Sequence, residues 1–173
     1  MRHVRLAALA TLVIAAAAAC SHDRSTPAPR STITTGNAAP PSFAAQALAA
    51  YEAMWTAVQL ASVTSNYTDP RLGDHLAGQA YTTISENMAV NKANGIIGLG
   101  QPVLHPRVIS SNASTVTLAD CMDDTHWLQY HAATHTLVDN LPGGHRYSTA
   151  TVTNQNGTWK VTVIDTRADG SCT

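Results

Sequence analysis

The chain is poor in charge and in aromatic side chains. Only 12% of its 173 residues are charged and 5% are aromatic, whereas an average soluble domain carries about 25% charged residues. Its 10 basic and 11 acidic residues leave no basic stripe along the chain. Because nucleic-acid binding requires such a stripe to meet the phosphates, we expect no nucleic-acid partner.

Common catalytic signatures are also missing. The sequence has no Gly-x-Ser-x-Gly segment that would expose a nucleophilic serine. It has no glycine-rich loop of the kind that cradles phosphates. We therefore expect no cofactor, and no motif identifies a reaction.

The start of the chain has the layout of an export signal. Arg2 and Arg5 precede an uncharged run of 14 residues, Leu6–Ala19, which ends in five alanines. A membrane-spanning helix needs about 20 apolar residues, so the run is too short to cross a bilayer. Small residues at its end are typical of a cleavage site. We predict a signal peptide over residues 1–19.

Cys20 follows this leader directly, and Ala17-Ala18-Ala19-Cys20 resembles a bacterial lipobox. The resemblance implies that Cys20 is the first mature residue and that fatty acids such as palmitate anchor it to the outer face of the cytoplasmic membrane. Two acyl chains suffice for stable anchoring. Two alternatives stay open: an uncleaved signal anchor, and a secreted protein without lipid, because Ala17 replaces the commoner leucine.

Residues 20–41 contain much Ser, Thr, Pro and Ala and almost nothing to bury. Such a segment cannot offset the entropy cost of ordering. We predict that residues 20–41 comprise the lipidated cysteine and a disordered tether. Residues 42–173 then have the length of one domain with a single core.

Two cysteines remain after Cys20 is assigned to the lipid. An exported protein with one remaining pair commonly joins it in a disulfide. Cys121 and Cys172 would thus tie the C-terminal tail to the middle of the domain. Two free thiols are the alternative.

Helical patterns occupy the first half of the domain. Ser42 is a good N-cap for a helix over about 43–64. Asp69 and Pro70 are typical of the start of a short helix, which we place over 71–76. A third helix is expected over 79–91, before Asn94-Gly95, with Tyr81, Ile84 and Met88 facing inward and the aliphatic stem of Lys92 as a further candidate.

Alternating patterns replace the helical ones from Gly98 onward. Met122-Asp123-Asp124 is expected to break or bulge a strand, and Asn156-Gly157 predicts a hairpin. Helices followed by four or five antiparallel strands indicate an α+β fold, with the helices packed on a curved sheet. The expected strands are 103–109, which Pro106 interrupts, 115–120, 126–132, 146–154 and a return strand with Trp159, Val161 and Val163 on one face.

Several stretches between residues 43 and 172 are similar to those of known proteins. They are YEAMWTAV, DPRLGDHLAG, QPVLHPRV, DCMDDTHW, LPGGHRYSTATV and NGTWKV. Together they resemble small secreted proteins and lipoproteins of high-GC Gram-positive bacteria in the nuclear-transport-factor-2-like, or SnoaL-like, superfamily. The resemblance implies a cone of three N-terminal helices wrapped by a bent antiparallel sheet. Some members of the superfamily are isomerases, dehydratases or hydrolases and others only bind or assemble, so the fold does not decide the function.

The acidic segment around Cys121 holds the best catalytic candidates, which are Asp120, Asp124 and His126. An acid and a histidine near a strand end could transfer a proton if Asp120 points into the cone. The alternative, which we favour, is a bulge in which Asp120, Asp123 and Asp124 accept backbone hydrogen bonds and face water.

Histidines and aromatic residues offer two further readings. His126, His131 and His135 lie close together in sequence, but the first two would point to opposite faces of a strand, so we expect no metal site. Aromatic side chains could line an apolar pocket or simply fill the core. The aromatic candidates are Tyr51, Trp55, Tyr81, Trp127 and Trp159.

These observations favour a lipid-anchored binding or assembly module over an enzyme. Its expected partners are the membrane, through the lipid, and either a protein or a small apolar ligand. The alternative is a small SnoaL-like enzyme that uses an acid or a histidine in the cone. A Thr-rich strand containing Thr149, Thr151 and Thr153 is also compatible with a homodimer through the sheet.

Replacing the lipidation site should release the protein from the membrane. We expect Cys20→Ala to move the protein from the detergent phase to the aqueous phase in a Triton X-114 partition, because no acyl chain can then be attached. Ser21→Ala is the matched control and should stay in the detergent phase. Retention of Cys20→Ala in membranes would contradict the lipobox prediction.

Overall fold

The structure is a computed structural model that describes residues 41–172. The predicted signal peptide, the predicted lipidation site Cys20 and the predicted tether up to residue 40 lie outside the described residues. Three helices precede six strands. They are α1 (Phe43–Ser62), α2 (Pro70–His75), α3 (Gly78–Ala93), β1 (Ile96–Gly100), β2 (Arg107–Ser111), β3 (Thr115–Asp123), β4 (Trp127–His131), β5 (His145–Gln155) and β6 (Thr158–Thr166). This order confirms the α+β class, and none of the three helices has the length and hydropathy of a membrane span.

Short-range capping contacts fix where the first two helices start. The Ser42 hydroxyl accepts a hydrogen bond from the Ala45 N–H at 3.2 Å, which confirms it as an N-cap. Asp69 accepts from the Arg71 N–H at 3.0 Å, and Pro70 occupies the first turn of α2. Hydrogen bonds from the Arg71 side chain and backbone lower the pKa of Asp69 to about 2.

The strands form two antiparallel sheets. The larger has the order β2-β3-β5-β6, and β1 pairs with β4 in the smaller. The strand expected over 103–109 starts only at Arg107. Val103 makes a single bridge to Asp123. Pro106 has no N–H to donate, so it interrupts the hydrogen-bond ladder between Val103 and Arg107. β1 was not predicted, since its sequence IIGLG does not alternate in polarity.

Helix α1 lies against the larger sheet and supplies one side of the core. Its buried residues recur at helical spacing and include Tyr51, Met54 and Val58. On the sheet side, Val116 and Leu118 alternate as expected and are fully buried. Burial of this apolar surface is the main stabilising contribution to the fold.

Strand β3 runs three residues beyond the expected 115–120 and ends within the acidic segment, at Asp123. Asp120 pairs with Ser148 and Asp123 with His145 in an unbroken register. Met122 is buried and Asp123 is half-buried on the other face, so ordinary strand alternation accommodates both. Of the predicted break or bulge, the bulge was wrong, and the break falls after Asp123, where β3 ends.

A bulge occurs instead in the last hairpin. Asn156 and Gly157, with φ of 54° and 91°, form the predicted turn. The register then shifts between Thr151 and Val152. The shift turns Val163 outward, with 46% of its surface exposed, and buries Ile164, which is 7% exposed. The expectation that Val163 shares a face with Trp159 was therefore wrong.

Helix α3 faces the core through a different residue than expected. Ala80 and Met88 are buried and Ile84 packs against the core, whereas Tyr81 is exposed. Positions 80, 84 and 88 lie on one helical stripe, and position 81 is rotated by about 100° from it. Asn94 ends the helix as predicted, with Gly95 at a φ of 64°.

A disulfide joins Cys121 to Cys172 across 51 residues of sequence, with a Cα–Cα distance of 5.8 Å. The predicted pairing is confirmed. It attaches the tail after β6 to β3, in the middle of the larger sheet. In the chain-entropy model a loop of this length stabilises the fold by about 4 kcal/mol.

Because of the bulge, a Val→Thr substitution should affect the free energy of unfolding differently at positions 161 and 163. Val161→Thr should lower the free energy of unfolding by about 1–3 kcal/mol, because it buries an unpaired hydroxyl. Val163→Thr is the matched control and should change it by less than about 0.5 kcal/mol at an exposed position. Urea denaturation of both variants measures the difference, and equal losses would contradict the observed register.

Candidate functional site

A cavity of about 540 Å³ opens between α1, α3 and strands of both sheets. This volume lies within the range of about 300–1,000 Å³ typical of small-molecule sites. Apolar side chains make up much of the wall, and the polar part consists largely of uncharged side chains. The apolar members are Trp55, Val58, Ile84, Met88, Met122, Trp127, Leu128 and Ile164.

Two tryptophans form the aromatic part of the cavity wall. The rings of Trp55 and Trp127 meet edge to face, with centroids 5.7 Å apart. Gly98 permits this approach, because a Cβ there would lie 3.2 Å from Trp127 Nε1 and 3.0 Å from the Ser62 Oγ. The indole N–H of Trp55 is buried and has no acceptor among residues 41–172. Because that N–H is inaccessible to solvent, Trp55 presents ring surface and no donor to the cavity.

Helix α3 contributes a polar stripe to the same cavity. Its four members follow at intervals of four residues, so they share one face of the helix. They are Gln79, Thr83, Asn87 and Asn91. This stripe was not predicted, although its uncharged polar residues recur at helical spacing beside an apolar series in the sequence.

Charge in the cavity wall is largely compensated. The Arg146 Nε donates to Asp124 Oδ2 at 2.6 Å, and the Gly144 N–H donates to Asp124 Oδ1 at 2.6 Å. Both oxygens of Asp124 therefore have partners. The other acid in the wall is Asp165, which is exposed.

Asp120 points into the protein and not into water. It is 2% exposed, and it accepts from the Tyr51 hydroxyl at 2.9 Å and from the His105 N–H at 2.7 Å. The favoured expectation of a water-facing Asp120 was wrong, because strand alternation places it beside Leu118 on the buried face of β3. Burial, followed by the charge of Asp120, raises the pKa of Tyr51.

The other acidic candidates do not join Asp120. Asp123 accepts from the Thr125 N–H at 2.9 Å, and this contact with Thr125 lowers its pKa. His126 is exposed and does not line the cavity. The acid–histidine pair considered from the sequence is thus not assembled around Asp120.

The remaining histidine candidates are also on the surface. His131 and His135 are exposed. Within residues 41–172, no three His, Cys, Asp or Glu side chains are grouped as metal ligands would be.

The aromatic candidates divide between core, cavity and surface. Tyr51 and Trp159 are buried in the core, and the Trp159 indole donates to Gln46 Oε1 at 3.2 Å. Trp55 belongs to both core and cavity wall, Trp127 is half-buried in the wall, and Tyr81 is exposed. The prediction that these aromatic residues line a pocket is therefore correct for some of them, and the prediction that they fill the core is correct for others.

Among known proteins, only solved structures are similar to this chain. No family model matches the chain, and no curated protein is similar to it in sequence. The intermembrane-space region of the chloroplast protein ARC6 is 16% identical, over 75% of this chain and 100% of its own, with a TM-score of 0.49.

Two bacterial structures are similar to the same degree. A putative aromatic ring hydroxylase from Novosphingobium aromaticivorans is 12% identical, over 69% of this chain and 87% of its own, with a TM-score of 0.48. A putative dehydratase of the NTF2-like family from Streptomyces avermitilis is 14% identical, over 71% and 93%, with a TM-score of 0.45. At these values none of the three assigns a family or an activity to this chain.

Removing the hydroxyl that meets Asp120 should destabilise the fold. A hydrogen bond to a charged group contributes about 1.5–3 kcal/mol, so Tyr51→Phe should lower the free energy of unfolding by that amount. Tyr67→Phe is the matched control, because Tyr67 is 43% exposed, and it should change stability by less than about 0.5 kcal/mol. Equal denaturation midpoints for the two variants would contradict a structural role of this contact.

Proposed function

We propose that this protein is an exported, lipid-anchored binding module that holds a small, largely apolar ligand in the cavity between α1, α3 and the sheets. The observation that carries the proposal is the cavity itself. It combines a wall of two tryptophans and other apolar side chains with the uncharged polar stripe of α3. Apolar walls with a few placed polar groups are typical of small-molecule sites.

The wall chemistry indicates what the ligand would look like. A flat apolar body would contact Trp55 and Trp127, since aromatic rings pack well against such surfaces. The α3 stripe offers the Asn87 and Asn91 amides and the Thr83 hydroxyl to polar groups on that body, whereas the Gln79 amide is bound to the Ile164 backbone. Because Arg146 is already paired with Asp124, a neutral ligand fits better than an ionic one.

The same geometry supports binding over catalysis. No histidine lines the cavity in the described part of the chain, both oxygens of Asp124 are occupied, and Asp165, the other acid in the wall, is exposed to solvent. Asp120, the buried acid, does not line this cavity, and a tyrosine and a backbone N–H hold it. A proton-transfer catalyst needs a group within reach of the ligand, so the enzyme alternative has less support.

Export and anchoring rest on the sequence and on the disulfide. The leader and Cys20 supply the signal and the lipidation site. The Cys121–Cys172 bond is of the kind that forms and persists in oxidising compartments outside the cytoplasm.

Native mass spectrometry and a fluorescent probe together test the binding proposal. The exported, disulfide-intact protein should carry a co-purifying small molecule or, once stripped, bind the neutral probe N-phenyl-1-naphthylamine with a gain in fluorescence. Thr83→Trp should abolish probe binding, because position 83 lines the cavity and the new ring would fill it.

Thr82→Trp is the matched control for this experiment. Thr82 is the exposed neighbour on α3 and does not line the cavity, so probe affinity should stay within twofold of the parent. A bare polypeptide mass together with no probe binding would contradict the proposal. Equal loss of binding in both variants would do the same.

A further inference from the structure

A second cleft lies on the other face of the larger sheet. It has a volume of about 630 Å³ and includes the Cys121–Cys172 disulfide in its lining. Strand alternation separates the two sites: Arg146 of β5 lines the cavity, and its neighbours His145 and Tyr147 line the cleft. No lining residue is shared between them.

The lining of this cleft is basic. Arg107, Arg167, His105 and His145 all contribute to it. Its one acid is Asp120, which is 2% exposed and already accepts two hydrogen bonds. Asp123 pairs with His145 across the strands, so the uncompensated positive charge of the cleft is that of Arg107 and Arg167, although the chain as a whole has a formal net charge of −1.

Arg107 and Arg167 differ from the other cations of the described domain in their hydrogen bonding. Residues 41–172 contain six lysines and arginines. Four of them donate hydrogen bonds to a carboxylate or a carbonyl within this part of the chain, namely Arg71, Lys92, Arg146 and Lys160. The other two, Arg107 and Arg167, have no such hydrogen bond among these residues, and both line the cleft.

Rigid contacts hold the floor of the cleft in place. The Arg167 guanidinium lies 4.8 Å from the ring centroid of Tyr147, an arrangement that orients a guanidinium without neutralising it. The Tyr147 N–H donates to the Ser171 Oγ at 2.8 Å, and the disulfide fixes the tail beside it. Asp120 fixes the backbone at His105.

We propose that this cleft binds one anionic group, a carboxylate or a phosphate, between Arg107 and Arg167. Guanidinium groups present paired N–H donors that match the oxygens of either anion. His105 and His145 add ring N–H donors at the sides. The source of the anion is a free small molecule or the headgroup of an anionic lipid in the membrane near which the proposed anchor would hold the domain.

Titration with inorganic phosphate tests the site directly. The disulfide-intact Cys20→Ala protein would be followed by ¹H–¹⁵N NMR at constant ionic strength set with sodium chloride. We expect saturable shifts at His105, Tyr147 and Cys172. Arg107→Gln/Arg167→Gln should weaken phosphate binding at least tenfold, and Arg107→Lys/Arg167→Lys, which keeps the charge, should weaken it less.

Lys92→Gln is the matched control, because it removes one positive charge outside the cleft. It should leave phosphate affinity within twofold. Unchanged binding in the double Arg→Gln variant, or equal weakening by Lys92→Gln, would overturn the proposal. So would the absence of saturable shifts. Retention of the parent spectrum outside the cleft shows that the double variant is folded.

Vesicle sedimentation then identifies the source of the anion. Binding to phosphatidylglycerol vesicles but not to phosphatidylcholine vesicles, lost in the double Arg→Gln variant, supports a lipid headgroup. Phosphate binding without vesicle binding supports a free small anion. Vesicle binding that the double variant retains would overturn the lipid source.

Discussion

The buried carboxylate of Asp120 is the contact on which the arrangement of the domain depends. A buried charge is tolerated only when it is hydrogen-bonded, and here the partners come from two distant parts of the chain. Tyr51 comes from α1, and the His105 N–H comes from the loop before β2. One side chain thus fixes the helix on the sheet and positions the loop that bounds the cleft. Because Tyr51 stays protonated beside Asp120, its raised pKa reflects a neutral donor that the fold retains.

Strand alternation then gives the two sides of the larger sheet different chemistry. On the inner side, the pairing of Arg146 with Asp124 leaves little uncompensated charge, and the tryptophans dominate the wall. On the outer side, Arg107 and Arg167 have no such partner among residues 41–172. The disulfide contributes only to the outer side, where it holds the tail that carries Ser171 against β5. A ligand preference can therefore differ completely between sites separated by one layer of backbone.

Local signals in the sequence predicted the local structure well. Ser42 and Asp69 cap helices, and Asn156-Gly157 makes the hairpin, because each effect involves residues only a few positions apart. The disulfide was predictable because Cys121 and Cys172 were the only cysteines left beside Cys20. Non-local effects were missed: the bulge that turns Val163 outward depends on how β5 pairs with β6. The inward direction of Asp120 likewise depends on β3 remaining unbroken, which the sequence DCMDD argued against.

The site shows the same division between local and non-local information. The sequence was enough to propose Trp55 and Trp127 as pocket residues. Only the packing of the folded chain shows that their rings are in contact and that the Trp55 indole N–H is buried. Catalysis by an acid needs a carboxylate that is both near the ligand and available to it. Asp120 is held outside the cavity wall, and Asp124 is in the wall but fully hydrogen-bonded. The folding contacts have engaged these two acids, whereas no such contact engages the Asp165 carboxylate among residues 41–172. The groups left available in the wall are therefore amides, apolar rings and one exposed carboxylate.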